Sequence, residues 1–379
     1  MIRKRIPLFK AVSGAGDIRS VSNVVKSGCN WATGPNITKF EGMLARYTEH
    51  DYAVTLNSGT SALHAALLAH EIGKDDEVIV PSFTFIATAN APLMVGARPV
   101  FADIERDAFG IDPEKVQDLI TPKTRAIIPV HVGGQACKIR ALYEIAEDHN
   151  LIMIEDCAEA IGAKVGGGAP AGCFGNSAIF SFCGPKVIST GEGGAIVSNN
   201  KSFVDRVRLI RSHGRVDHAD YFSTCYIPEY TMLGYNWRMS NITAALGITQ
   251  LEKIETLIKR RINRANLMTE LIHRANLNIV TPAPAEGNRH TYQMYMVMIP
   301  RHKRDLLMYE LDRLGVTSKI YFSPAHLTKH FRKIIPNPGN LEVTENVARM
   351  VLSLPMYPDL TNGEIHYIVN RISRFMEYG

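Results

Sequence analysis

Lys186 has the most evident chemical use of any residue in this chain. It lies between the apolar run Ala178–Phe182 and a glycine-rich turn, Thr190-Gly191-Glu192-Gly193-Gly194. Upstream, the apolar run Leu151–Ile154 ends in Glu155-Asp156. A lysine amine held on a loop can form a Schiff base with an aldehyde, and a strand-end carboxylate can keep a pyridine nitrogen protonated. Those two groups are what pyridoxal phosphate requires, because its protonated ring then acts as an electron sink.

Three further features suit the same cofactor. Ser58-Gly59-Thr60-Ser61 opens a helix after an apolar run, and a helix N-terminus with small hydroxyl residues favours a phosphate dianion. Phe85 follows the next apolar run and could stack on a ring, while Ser181 offers a second phosphate hydroxyl. Taken singly, each has a plain structural reading: an ordinary N-cap, a core phenylalanine, a loop start or a turn. Their order and joint presence favour the cofactor.

The elements that must position these residues read as an α/β sheet. From residue 50 to 200, short apolar runs alternate with helical stretches. Tyr52–Leu56, Glu77–Pro81, Pro99–Asp103, Ala126–His131 and the run ending in Asp156 are expected strands. Helices are expected after Ser58, from Ser82, and over Ile139–Asn150. Beyond residue 200 the pattern turns helical, with one long amphipathic stretch over Asn241–Lys259. Thr291–Pro300 alternates as a strand, and Lys303–Leu314 and Asn362–Phe375 read as helices. The expectation is a large α/β domain over residues 1–250 and a smaller α+β domain over 251–379, joined by the long helix.

The chain of 379 residues is long enough for two such units. Forty-two basic against 37 acidic residues give a formal charge of +5 without any block of like charge. That balance does not point to nucleic acid, although a mild positive field suits a phosphate-bearing ligand. Cys29, Cys137, Cys157, Cys173, Cys183 and Cys225 form no CxxC pairs, so neither a disulfide framework nor a zinc site is expected. Met1–Pro7 lacks a signal-peptide core, and no apolar run is long enough to span a membrane. A soluble, cytoplasmic chain without nucleic-acid, membrane or metal partners is expected.

Glu155–Ala160, Ser181–Lys186 and Thr190–Gly194 together resemble the signatures of the DegT/DnrJ/EryC1/StrS family of nucleotide-sugar aminotransferases, which are fold-type-I pyridoxal-phosphate enzymes. The resemblance extends over nearly the whole chain, through Gly34-Pro35, Phe40-Glu41, Asn57–Leu63, Gly234–Met239 and Ser353-Leu354-Pro355. It implies a large domain with a mixed seven-stranded sheet. It also implies roles. Lys186 would carry the cofactor and move the proton, and Asp156 would pair with the pyridinium. Ser58, Gly59, Thr60 and Ser181 would hold the phosphate, and Phe85 would lie against the ring. Asn236 would reach the cofactor phosphate of a neighbouring subunit, making the active site a product of a homodimer. Gly34, Arg238, His326 and the Arg289–Tyr292 segment would lie near the sugar nucleotide or the dimer contact.

The resemblance has departures. Most family members carry glutamine where this chain has Glu159, whose side chain would approach the cofactor's 3-oxygen. An ionised carboxylate cannot donate a hydrogen bond and is repelled by a phenolate, so Glu159 is either protonated or shares a proton there. The acid resembles the variant found in perosamine synthases, which aminate GDP-4-keto-6-deoxymannose. Ile161 replaces a frequent histidine, and Lys138 stands where relatives often have an acid. The implied reaction moves an amino group from glutamate to carbon 4 of a nucleotide-linked 4-keto-6-deoxyhexose, for glycan or surface polysaccharide synthesis. Amination at carbon 3 of a UDP-3-keto-hexosamine is the alternative. A sugar dehydratase on this scaffold would carry histidine in place of Lys186, and a non-catalytic sensor would not need Lys186 and Asp156. A Rossmann dehydrogenase lacks its GxGxxG. His326 and His330, spaced i,i+4, are read as a solvated helix face rather than metal ligands.

Overall fold

The computed structural model describes residues 5–216, 225 and 227–378. The first and last residues of the two expected domains, Met1 and Gly379, lie outside the described residues, as do Ile2, Arg3 and Lys4. Helices α1 (Ala15–Lys26) and α2 (Pro35–Tyr47) precede β1 (Tyr52–Leu56) and α3 (Gly59–Ala69). Then come β2 (Glu77–Pro81), α4 (Ile86–Met94), β3 (Arg98–Ala102), α5 (Pro113–Leu119), β4 (Thr124–Ile127) and α6 (Ile139–Asp148). Strands β5 (Ile152–Asp156), β6 (Ser177–Ser181) and β7 (Gly194–Ser198) lead to α7 (Lys201–Arg211) and a short hairpin, β8 (Arg215–Val216) with β9 (Glu229–Tyr230).

Strands β1 to β7 make one sheet in the order β1-β7-β6-β5-β4-β2-β3. Strand β7 runs antiparallel to both neighbours and the remaining pairs are parallel, so the sheet is mixed. Alternation along each strand builds two faces. Ile179 joins the core under α3 and α7, whereas Ala178 and Phe180 join the core under α2 and the helix that follows β9. Helix α3 is apolar almost all round and correspondingly buried, with alanines at 62, 65, 66 and 69 letting it lie close to the sheet.

The parallel arrangement gathers the carboxyl ends of β1, β2, β4, β5 and β6 at one edge, where open α/β sheets bind ligands. Ser58, Phe85, Val130, Asp156 and Ser181 all follow or end those strands. Residues far apart in sequence therefore meet there.

The second half contains α8 (Asn241–Glu252), α9 (Ile254–Arg274), β10 (Tyr295–Met298), α10 (Arg301–Arg313), α11 (Lys329–Ile334), α12 (Glu342–Met350), β11 (Val351–Leu354) and α13 (Asn362–Tyr378). Strands β10 and β11 pair antiparallel and pack with α9, α10 and α13 around Tyr295, Val297, Leu307 and Leu352. We propose α9 as the joint between a large and a small unit. Its Leu257 and Ile258 pack in the large core, and its Ala265, Met268 and Ile272 in the small one.

Several expected elements are altered. The single helix over Asn241–Lys259 is two, divided at Lys253. The strand over Ala126–His131 stops at Ile127, because Pro129 has no N–H for the ladder, though its carbonyl still accepts from Asp156 N at 2.8 Å. The strand expected from Thr291 begins at Tyr295, since Tyr292 takes a positive φ of 49° and stacks on His290. The helix expected from Ser82 starts only at Ile86, with Phe85 as its N-cap. Ile6 belongs to the small core rather than the large one, held by bonds of 2.9 and 3.0 Å to Gly315 and Thr317.

Candidate active site

A cavity of about 330 Å³ opens at the carboxyl edge of the sheet. Ser58, Gly59, Thr60, Phe85, Asp156, Glu159, Ser181 and Lys186 all line it.

At one end lies the N-terminus of α3, whose first amides have no acceptors within the helix. The Ser58 hydroxyl does not point to a ligand role here: it accepts from Ser61 N at 3.0 Å in a reciprocal N-cap. The plain structural reading accounts for that hydroxyl. Gly59 is packed so that a Cβ would sit 3.0 Å from Ser181 Cβ, and at Gly194 a Cβ would fall 2.2 Å from the Ser58 carbonyl oxygen. Glycine at these two positions brings the helix end, Ser181 and the glycine turn together. The free amides, Thr60 and Ser181 form a cradle of the right chemistry for a phosphate dianion.

At the other end, the Asp156 carboxylate is buried, 4% exposed, and among the described residues it receives only neutral donors: Thr88 Oγ1 at 2.8 Å and Ala158 N at 3.1 Å. Burial pushes its pKa above the ordinary carboxylate range, against those two bonds and the charge of Lys186. A buried anion without a cation in contact is costly, and a pyridinium N–H supplies that cation. Phe85, 58% exposed, lines the same cavity. Phosphate cradle, apolar face and buried anion fit pyridoxal phosphate.

Lys186 approaches from β6 and the turn after it, with Nζ 3.4 Å from Glu159 Oε1. Gln293 Nε2 donates to the Pro185 carbonyl at 2.8 Å and so pins this turn from the small unit. Glu159 Oε2 accepts from Gly133 N at 2.9 Å. Its pKa is raised, by burial first, then lowered in part by Lys186 and the Gly133 amide, with Asp156 adding to the rise. The charge of Lys186 is the strongest influence keeping Glu159 ionised.

Glu155, next to Asp156, accepts four bonds: from His131 Nε2 at 2.8 Å, Gly172 N at 2.8 Å, Phe174 N at 2.7 Å and Gly175 N at 2.6 Å. His131, Glu155 and Cys157 cluster like metal ligands. The saturated carboxylate instead makes the group a clamp that fixes the end of β5.

Other expected site residues lie elsewhere. Gly34 and Arg238 line a separate groove of about 730 Å³ together with Arg208, Arg211 and Arg215. Asn236 bridges to Ser212 beside that groove and does not line the Lys186 cavity. His326 is not at the cavity: its Nδ1 is 2.7 Å from Ser82 Oγ and it is buried, with Glu345 on its other side. The solvated-face reading therefore fails for His326, while His330 is exposed. The two do not share a helix, because Thr328 caps α11 between them. Arg289 is a tie, paired with Glu255 at 2.8 Å and donating to the Gly162 carbonyl at 2.7 Å, and His290 and Tyr292 stack on one another.

Sequence reasoning missed Thr88, Gln293 and Tyr321, all of which line the cavity. Thr88 was within reach of a sequence argument, since it stands one helical turn after Phe85. Gln293 and Tyr321 carry no such signal.

Fold and site together define a fold-type-I pyridoxal-phosphate enzyme, with a lysine, a buried aspartate and a helix-end phosphate cradle on one mixed sheet. The DegT/DnrJ/EryC1/StrS aminotransferase family matches residues 13–373, and the chain belongs to it. It is 36% identical over 348 residues to GDP-perosamine synthase of Caulobacter vibrioides, covering 91% of each chain. Among solved structures it is similar to S. venezuelae DesV, with a TM-score of 0.91, 31% identity, and coverage of 99% of this chain and 100% of that one. It is also similar to a putative sugar aminotransferase, Spr1654 of Streptococcus pneumoniae, in its PLP form, with a TM-score of 0.91 and 26% identity over 98% of this chain and 99% of that one. The chain is a pyridoxal-phosphate-dependent aminotransferase. No helix among the described residues is long and apolar enough to cross a membrane.

Glu159→Gln is expected to retain the cofactor and to move the midpoint of its absorbance–pH titration down by about one unit. The sign follows from charge: an ionised Glu159 favours proton retention on its neighbours, and glutamine does not. An unchanged titration would mean that no charge at residue 159 couples to the cofactor.

Proposed function

We propose that the enzyme transfers an amino group from glutamate to carbon 4 of a nucleoside-diphosphate 4-keto-6-deoxyhexose. The observation that carries this reading is the buried Glu159 carboxylate against Lys186, the feature resembling perosamine synthases. The 36% identity to such an enzyme over most of both chains supports it.

When bound, pyridoxal phosphate supplies an electron sink for deprotonation next to an amine nitrogen. The protein's own groups do the rest. The amides of α3 with Thr60 and Ser181 would hold its phosphate, Phe85 would pack on its ring, and Asp156 would keep a proton on its pyridine nitrogen. The Lys186 amine would hold the cofactor and would be the base that moves a proton between two carbons. Glu159 accepts or returns a proton beside that amine, and the Gly133 amide fixes its orientation.

The active unit in this reading is a homodimer. Among the described residues lining the Lys186 cavity, Asp156, Glu159 and Glu192 are acidic and Lys186 alone is basic. Glutamate and a sugar diphosphate are both anions, so further cations must reach the site. The arginine-lined groove with Arg238, and Asn236 beside it, are the segment of one subunit that completes the other's site.

Enzyme first converted to its amino form should be mixed with UDP-, GDP- and dTDP-linked keto-sugars while the cofactor absorbance is followed. A GDP-4-keto-6-deoxyhexose is expected to restore the starting spectrum. Recovery with a UDP-3-keto-hexosamine instead would move the reaction to carbon 3, and recovery only with a plain 2-keto acid would refute the sugar assignment.

A further inference from the structure

We propose that Lys319, held over the ring of Tyr321, which lines the Lys186 cavity, binds the diphosphate of the sugar nucleotide. The proposal rests on the nucleotide-sugar reading above. It names a residue that acts on the acceptor substrate and not on the amino donor.

The Tyr321 ring lines the cavity, and the Lys319 ammonium lies 5.0 Å from its centroid. An ammonium over an aromatic face is oriented without being neutralised. Lys319 is exposed and, among the described residues, ion-pairs with no carboxylate. Its backbone is fixed: Lys319 N donates to the Ser353 carbonyl at 3.1 Å, and Ser353 N returns the bond at 2.8 Å. Ser353 belongs to β11 and lines the same cavity. The lysine is thus a cation on a rigid strand edge, held by its neighbour's ring and available to an anion.

The chemistry of the substrate directs its anion away from Lys186. In a pyranose, carbons 1 and 4 lie opposite one another across the ring. A sugar that presents carbon 4 to Lys186 therefore points its carbon 1, with the diphosphate, away from the lysine and toward the mouth. The helix-end cradle is taken by the cofactor's phosphate in this reading, and the charged groups in the rest of the lining are predominantly acidic and disfavour a diphosphate. Glutamate is short and has no group that extends in the same way. Burial, then the charge of Glu159, pushes the Tyr321 phenol above its ordinary pKa, so its hydroxyl remains a donor toward the hexose at neutral pH.

The test uses holoenzyme with Lys319→Ala, Lys319→Arg and Tyr321→Phe. Calorimetric dissociation constants are measured for GDP-mannose, which has a hydroxyl in place of the ketone and cannot react. The spectral rate with glutamate alone is recorded in parallel, and the cofactor absorbance reports intact folding. Loss of a charge-assisted bond predicts roughly tenfold or more weaker GDP-mannose binding for Lys319→Ala, with a flatter salt dependence. Lys319→Arg should stay within about threefold of wild type, because arginine keeps the phosphate contact. Tyr321→Phe keeps the aromatic support and should weaken binding by about threefold, the cost of one hydrogen bond. The glutamate rate should not change for either Lys319 variant. An unchanged constant in Lys319→Ala, or an equal loss in the glutamate reaction, would overturn the proposal. If wild type binds none of GDP-, UDP- or dTDP-linked sugars, the nucleotide-sugar reading itself fails and the assignment of Lys319 falls with it.

Discussion

Lys186→Ala is expected to lower turnover by roughly ten-thousand-fold, the upper range for losing a positioned acid–base group that is also the nucleophile. The fold should survive. The ammonium is 3.4 Å from Glu159, and with it gone the buried carboxyl takes up a proton instead of remaining an unpaired charge. A readout apart from activity separates loss of chemistry from loss of structure. Borohydride reduction followed by denaturation should leave cofactor fluorescence on the wild-type chain and none on the variant. Substantial turnover in Lys186→Ala would remove the lysine from the mechanism.

The second large effect is expected at Asp156. Asparagine keeps the shape and can still bond Thr88 and the Ala158 amide, but it has no charge. Removing one partner of a buried ion pair costs about 3–5 kcal/mol, which corresponds to a loss of roughly two to four orders of magnitude in turnover. Without cofactor the sign reverses. The folded-state pKa of Asp156 is raised by burial, so ionisation at neutral pH opposes folding above the unfolded value. Cofactor-free Asp156→Asn should therefore be at least as stable as wild type in thermal melts across neutral pH. A variant that is both unstable and inactive would show that Asp156 serves packing rather than the pyridine nitrogen.

Much of this site was legible because its residues sit where strands end. Lys186, Asp156, Ser181 and Ser58 each follow an apolar run, and a parallel sheet collects such ends by construction. Phe85 was found for the same reason, whereas Glu159 was singled out only through the family resemblance. Roles were less legible than positions. The Ser58 hydroxyl is an N-cap, because a serine before a helix has a nearer partner in its own first turn than in any ligand. His326 and His330 suggested one helix face, yet Pro324 and the capping Thr328 place the first in a buried 3-10 turn and leave the second exposed.

The sequence alone determined the alternation of strand and helix, the lysine and the aspartate, and the glycines that allow α3 to approach the sheet. These depend on local periodicity and on close backbone contacts that only certain residues permit. Tertiary structure decided that Gln293 pins the Lys186 turn, that Tyr321 lines the cavity with Lys319 over its ring, and that Gly34 and Arg238 lie in a different groove. The first two of these placements depend on how the small unit docks against the carboxyl edge of the sheet, and the groove on how segments far apart in the large unit pack. That docking is set by packing between segments hundreds of residues apart, and no local pattern encodes which side chain will then face the lysine.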